Sequence, residues 1–148
     1  MSKLILKNLD EALAELDKIA AKHNVQTVNW SAYRIFQHCA QTIAYSMTGY
    51  PAQKPKWLQW TIGKLAIFKF LRQGYMSHDL AAPVPGSPAL QTEGTTAEGI
   101  ALLRETIQQF KAFEKPLQPH LFFGTLSKQE YDQYFAMHLA DHLSEVKY

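Results

Sequence analysis

The stretch SKQEYDQYFAMHLADHLSEVKY, residues Ser127 to Tyr148, carries the pattern that decides the fold. Within it Tyr131, Phe135, His138 and His142 follow one another at intervals of four, three and four residues. At 3.6 residues per turn these side chains form one stripe along a helix. Such an apolar stripe is the face that a helix buries. The stretch therefore predicts a terminal helix whose buried face carries two histidines.

Three earlier stretches show the same helical periodicity. Helices are predicted from about Leu9 to about Lys22, from about Trp30 to about Met47, and from about Ala97 to about Glu114. Helix starts are predicted at Asn8 and Ser127, each with Glu three residues on as in a capping box, and at Thr96. No stretch shows the clear alternation of a strand. The sequence predicts an all-α fold, a bundle of four long helices.

Two features separate the second and third of these helices. Residues Trp57 to Gly74, WLQWTIGKLAIFKFLRQG, are apolar nearly all round and predict an additional buried helix with lysines reaching to solvent. A basic and aromatic helix can also lie on a membrane surface, but here the apolar residues do not segregate from the charges. Residues Tyr75 to Thr95 lack periodicity and hold several prolines, which predicts a long crossover back along the bundle.

Composition limits the kind of protein. The 148 residues predict one domain, residues 1–148, with a full core. The net charge of +2 is too small to indicate nucleic acid. Residues Lys18 to His78 include eight Lys or Arg and no acidic residue. We interpret this basic stretch as a face exposed to solvent, in preference to a surface that binds an anionic ligand or another subunit. The one cysteine allows no disulfide within the chain. The sequence shows no leader peptide and no apolar run of the about 18 residues that a membrane span needs. A soluble cytoplasmic protein is therefore expected.

His138 and His142 indicate a metal site. A neutral imidazole keeps one donor and one acceptor, so two of them on a buried face need partners. A metal ion would satisfy both, and His38, on a separate helix, can supply a third nitrogen. The spacing alone is common by chance and lacks the adjacent Glu of a zincin. Three histidines with open coordination positions are typical of catalytic zinc sites rather than structural ones.

Other residues are candidates for positioning or acid–base roles. Tyr45 lies two helical turns after His38, and Tyr134 lies at the edge of the terminal stripe. Asp141 either orients an imidazole or faces solvent. His120, in an aromatic loop, is expected to fix that loop by a hydrogen bond, with a substrate contact as the alternative.

Two further predictions concern residues outside this group. His38 is placed at the polar edge of its helix, which suits a cleft, while the adjacent Cys39 points to the apolar face as a small core residue. His78 is expected to serve only the long loop, with a place at the mouth of the site as the alternative.

Four stretches, taken in order over nearly the whole chain, resemble a known family. They are FQHCAQTIAYSMTGYP at residues 36–51, APVPGSP at 82–88, PHLFFGTLSKQEY at 119–131 and MHLADHL at 137–143. Together they resemble the domain of unknown function numbered 1569, in the DinB-like superfamily of four-helix metalloenzymes. The resemblance implies a four-helix bundle with a long crossover and an additional helix between helices 2 and 3. It also implies nickel or zinc bound by His38, His138 and His142.

The resemblance implies two chemistries for such a site. Relatives in the superfamily include thiol-dependent transferases and a thiol-dependent maleylpyruvate isomerase, in which a metal lowers the pKa of a thiol beside an electrophile. The same site can instead ionise a bound water and hydrolyse a small substrate. The first hypothesis is thus a metal-dependent enzyme acting on a small molecule or a low-molecular-weight thiol, without nucleic-acid or membrane partners.

The second hypothesis is a non-catalytic protein. The many aromatic residues suggest a ligand-binding or stress-response helical bundle. Such a bundle would act as a homodimer, because the helix from Trp57 to Gly74 is apolar on too many sides for a monomer surface.

Overall fold

The fold is mostly helical in the computed structural model, which describes residues 3–148. The helices are α1 (Leu9–Ala20), α2 (Ala32–Thr48), α3 (Lys56–Leu58), α4 (Lys64–Gln73), α5 (Thr96–Ala112) and α6 (Lys128–Leu143), and a π-helical segment (Gln59–Gly63) joins α3 to α4. Strands β1 (Gln26–Thr27) and β2 (Val146–Lys147) form one short antiparallel pair that the sequence did not indicate. The helical content agrees with the predicted all-α class.

Capping boxes fix the starts of α5 and α6. At α6 the Ser127 hydroxyl accepts from the backbone N–H of Glu130, whose carboxylate accepts from the backbone N–H of Ser127, as predicted. At α5 the same pair of bonds joins Thr95 and Glu98. The prediction of Thr96 as the cap was therefore wrong by one residue, because Thr95 has the extended backbone that a cap requires.

The other predicted boundaries are close but not identical. Three differ by two residues: α1 ends at Ala20 instead of Lys22, α2 begins at Ala32 instead of Trp30, and α5 ends at Ala112 instead of Glu114. Ser31 caps α2 by accepting from the backbone N–H of Arg34, which leaves Trp30 outside the helix. At α1 the Asn8 side chain caps as predicted, but the Glu11 carboxylate accepts from Lys7 instead of Asn8.

The core lies where α1, α2, α5 and α6 meet. Both α1 and α2 pack against α5 and α6. The largest fully buried side chains include Tyr131, Phe36, Phe110 and Ile107, and burying side chains of this size contributes about 1.5–3 kcal/mol each. Ten of the sixteen residues of α6 are buried. The histidines of α6 therefore lie inside the protein.

The stretch from Trp57 to Gly74 is not the buried helix that its composition predicted. It is divided by the π-helical segment, and only Gln59, Gly63 and Ile67 are buried along it. Five apolar side chains of this stretch are each more than half exposed: Trp57, Trp60, Ile62, Leu65 and Phe68. They are here together called the aromatic face. The apolar composition predicted that this stretch is helical. It did not predict which side of the helix packs against the rest of the protein.

Gly63 allows this segment to lie against the aromatic loop before α6. A Cβ atom at Gly63 would collide with the carbonyl oxygen of Phe122. Gln59 reaches the same loop, since its side-chain amide donates to the carbonyl of Leu121 at 3.0 Å. The segment is thus attached by backbone contact to the loop that carries His120.

The predicted crossover is present between α4 and α5. Residues 75–94 form no helix or strand. The crossover is attached to α2 because the Gln37 side chain both donates to the backbone carbonyl of Gln91 and accepts from its N–H, at 3.2 and 2.9 Å. It also buries Met76, Val84 and Leu90 in the core.

None of the helices within residues 3–148 has the length and apolar character needed to span a membrane.

Candidate metal centre

Four imidazoles meet where α2, α6 and the crossover come together. His38 comes from α2, His138 and His142 from α6, and His78 from the crossover. One ring nitrogen of each lies within 4.8 Å of the corresponding nitrogens of the others. The structure thus brings together the three histidines singled out in the sequence. The expectation that His78 serves only the loop was wrong, because the crossover passes directly over α6.

Three of these imidazoles are buried. His38, His138 and His142 are 3%, 4% and 1% exposed. The placement of His38 at a polar edge was wrong, since α2 packs against both α5 and α6 and so buries a wide face. Trp30 covers the cluster as well, with ring centroids 5.3 Å from His38 and 6.1 Å from His142. Trp30 was expected to begin the second predicted helix and was not predicted to lie at the site; in the structure it precedes the N-cap Ser31.

Burial keeps the three imidazoles neutral. Burial, followed by the effect of nearby His78, lowers the pKa of His38 to about 4. Burial, followed by the neighbouring histidines, lowers the pKa of His142 to about 2 and that of His138 well below its usual value. A charged imidazolium is unfavourable where solvent is excluded. The rings therefore present free lone pairs at neutral pH, which is the form that binds metals.

The donor set fits a divalent metal ion. The Nδ1 atom of His38 is buried and has no hydrogen-bond partner within residues 3–148, and leaving such a group unsatisfied costs about 1–3 kcal/mol. The Nε2 atoms of His78 and His142 are 3.1 Å apart, close to the roughly 3.4 Å between ligands of a tetrahedral zinc site. Neutral nitrogen ligands suit zinc, nickel, copper or iron.

Asp141 fixes the orientation of His78. Its Oδ2 atom accepts from the backbone N–H of His78 at 3.0 Å and from ring Nδ1 at 2.7 Å. A proton on Nδ1 leaves the lone pair on Nε2, the atom that faces His142. Carboxylates hold metal-binding histidines in this way in many proteins. Of the two roles considered for Asp141, orienting an imidazole is the one that the hydrogen bonds show.

His120 lies next to the cluster and not within it. Its Nδ1 accepts from the backbone N–H groups of Phe122 and Phe123, both at 3.1 Å, which fixes the aromatic loop. With Nδ1 accepting, the proton is on Nε2, which donates to the Tyr134 hydroxyl at 3.2 Å. Burial lowers the pKa of His120 to about 3. The Tyr134 ring in turn stacks on His138, with centroids 5.8 Å apart.

Two other sequence candidates lie away from the four rings. Tyr45 is half-buried and packs on Tyr50, with ring centroids 5.6 Å apart, and its role stays a prediction. Cys39 is buried, and burial raises its pKa, which fits the small core residue that was expected.

The sequence of the whole chain matches one family. The model of the family described as "Protein of unknown function (DUF1569)" covers residues 1–148. The chain belongs to this family. No curated protein matches it, and no solved structure matches it. Because the DUF1569 description states no activity, the function of this DUF1569 protein has to be inferred from its own histidines.

Proposed function

We propose that this DUF1569 protein is a divalent-metal-dependent enzyme that binds nickel or zinc through His38, His138 and His142. One observation carries the proposal: four imidazoles converge within 4.8 Å. Three of them are buried and have a pKa far below the usual value. Without a shared ligand the buried Nδ1 atom of His38 has no hydrogen-bond partner within residues 3–148, which is unfavourable.

The proposal includes the fold. We infer a single DinB-like four-helix-bundle domain over residues 1–148, with the crossover and the Trp57–Gly74 segment inserted between its second and third helices. The mutual packing of α1, α2, α5 and α6 supports this. So does the origin of the ligands, one from the second bundle helix and two from the last, which is how bundles build metal sites.

The chemistry follows from the ligands. A bound ion would act as a Lewis acid that lowers the pKa of a thiol or a water molecule. The activity we propose is that of a thiol-dependent transferase or isomerase, or of a hydrolase, on a small-molecule substrate. In this chain Asp141 orients His78, and the Tyr134 hydroxyl, which accepts from His120, keeps its own proton available for donation. Tyr45 is retained as a more distant candidate.

The test is elemental analysis of the protein purified without a histidine tag. About one equivalent of nickel or zinc is expected in the wild-type protein and none in His138→Ala or His142→Ala, with helical circular dichroism retained. His23→Ala, which removes an exposed histidine, is the matched control and should keep its metal. Metal retained by His142→Ala would overturn the ligand assignment. No metal in any of these proteins after reconstitution would overturn the proposal.

A screen with thiols and activated esters then separates an enzyme from a passive metal site. Turnover that requires the metal and is lost in His138→Ala is the expected result. A metal-loaded protein that only binds ligands, at the same affinity with and without metal, would overturn the enzymatic part.

A second function has its own supporting observation, the aromatic face. We propose as the alternative a non-catalytic ligand-binding or stress-response bundle that forms a homodimer through this face. Trp57, Trp60, Leu65 and Phe68 are each 65–74% exposed, and contiguous apolar surfaces on soluble proteins commonly mark interaction sites.

A further inference from the structure

We propose that His78 is a fourth and exchangeable ligand of the same ion, and that its departure opens the site to an external ligand. This inference rests on the proposed function, because it requires a metal at His38, His138 and His142. It adds control over the access of external ligands to the ion, which three histidines alone do not provide. The crossover that carries His78 becomes the element that decides whether the ion is accessible.

The orientation of His78 is the first argument. Both its backbone N–H and its ring Nδ1 donate to the Oδ2 atom of Asp141. The ring is thereby held with its Nε2 lone pair directed at His142, with the two Nε2 atoms 3.1 Å apart. Its centroid is 4.8 Å from those of both His138 and His142, as close as these two are to each other. These two hydrogen bonds hold both the backbone and the ring of His78 against Asp141 of α6.

Its location is the second argument. The other three ligands are on helices and are at most 4% exposed, whereas the His78 side chain is 23% exposed and lies on a segment without helix or strand. The side chain of its anchor, Asp141, is 12% exposed. Moving His78 therefore requires changes in a few loop dihedral angles, while moving any of the other three requires breaking a helix or the core.

The neighbouring cavity is the third argument. A cavity of about 820 Å³ is lined in part by Tyr75, Met76 and Asp141, and none of the four histidines lines it. Asp141 lines this cavity and also accepts from the ring of His78, so the cavity adjoins the anchored histidine. In this proposal, displacing His78 opens a path from the cavity to the ion.

The chemical consequence follows from coordination number. Four nitrogen ligands close a tetrahedral zinc-type site, whereas three leave a position for water or substrate. With His78 bound the ion is protected. With His78 displaced, a small ligand such as a thiolate can take the vacated position from the cavity. The substrate class is thus limited to molecules with a donor atom strong enough to replace a neutral imidazole.

Cobalt(II) with azide as the probe ligand tests this, because the visible absorption of cobalt changes with the number and the kind of its ligands. Wild type, His78→Ala and the control His23→Ala should each bind about one cobalt. The spectrum of His78→Ala should differ from that of wild type. Azide should bind to this variant about 10–100-fold more tightly, because wild type offers the vacant position only in a minor state populated at roughly 1–10%. His23→Ala should match wild type in both measurements.

Any one of four results would overturn the inference. Identical spectra and azide affinities in wild type and His78→Ala would mean that His78 is not a ligand. A folded His78→Ala that binds no cobalt would mean that His78 is obligatory and not exchangeable. If the wild type binds no cobalt, nickel or zinc, the proposed function fails together with the inference. If His78→Ala does not fold, Asp141→Asn replaces it. This variant holds His78 less firmly, so a smaller spectral change in the same direction and a smaller gain in azide affinity are expected. Unchanged values would overturn the inference.

Discussion

Asp141 accepts two hydrogen bonds from His78, although 63 residues separate them in the sequence. One carboxylate oxygen thereby fixes both the backbone of the crossover and the tautomer of an imidazole. Asp141 is also adjacent to His142 in α6. A single turn of this helix therefore supplies one ligand of the proposed ion and the anchor of another.

Replacing Asp141 by Asn should weaken metal binding without removing the site. An amide keeps the shape of the carboxylate but loses its charge, so the His78 ring is held less firmly and is less basic. A 10–100-fold loss of affinity is typical when such partners are removed. Titration against a metal-binding dye should show this, with one ion per chain still bound at saturation. Asp79→Asn is the control, since the Asp79 side chain accepts from the backbone N–H of Ala81 in a turn. An equal loss in this variant would contradict the role of Asp141.

The helix-borne part of the site could be predicted from the sequence because helical periodicity is a local property. His138 and His142 share a face wherever α6 lies, and a capping box marks the start of that helix. His38 could be predicted to join them once its helix was expected to face α6. These relations depend on spacing along one helix and on the general rule that bundles bury their apolar faces.

His78 and Trp30 could not be predicted in the same way. Each lies outside a helix, so its position depends on the path of a connection and not on a repeat. The partner of His78 is remote in sequence, and no local pattern indicates it. For the same reason the aromatic face was expected to be buried: composition shows that a helix is apolar but not whether another element covers it.

His120 should make the stability of the metal-free protein depend on pH. Its pKa is about 3 in the folded protein because of burial and about 6.5 in the unfolded chain. Between these values the unfolded state binds a proton that the folded state does not. The free energy of unfolding therefore decreases as pH falls below about 6.5, by about 1.4 kcal/mol per pH unit for this group.

The variant His120→Asn isolates this contribution. The Asn side-chain oxygen can accept from the N–H groups of Phe122 and Phe123 as Nδ1 does, but it does not titrate. Urea unfolding between pH 6 and pH 4 should give a slope against pH that is shallower than that of wild type by about 1.4 kcal/mol per unit. His23→Asn should keep the wild-type slope. Equal slopes in all three proteins would show that His120 takes up its proton when folded.

Tyr134→Phe should destabilise the protein through His120. The hydroxyl of Tyr134 accepts from Nε2–H of His120 at 3.2 Å in a buried environment. Without it a buried donor has no partner, at a cost of about 1–3 kcal/mol. Chemical denaturation at pH 7 measures this. Tyr45→Phe, on a half-buried ring, is the matched control and should change stability little. A similar loss in both variants would mean that the hydroxyl contact with His120 is not the cause.

The aromatic face should determine the oligomeric state if the homodimer proposal holds. In a two-fold symmetric dimer the same residues of both copies face each other. Leu65→Lys and Trp60→Lys together would place like charges opposite each other in an apolar contact and should convert a dimer into a monomer of 16.9 kDa. Sedimentation velocity measures this directly. The control is Val28→Lys, a residue 74% exposed and outside the aromatic face, which should remain dimeric. A wild-type protein that stays monomeric at high concentration would contradict the homodimer and would leave the metal site as the feature from which function must be argued.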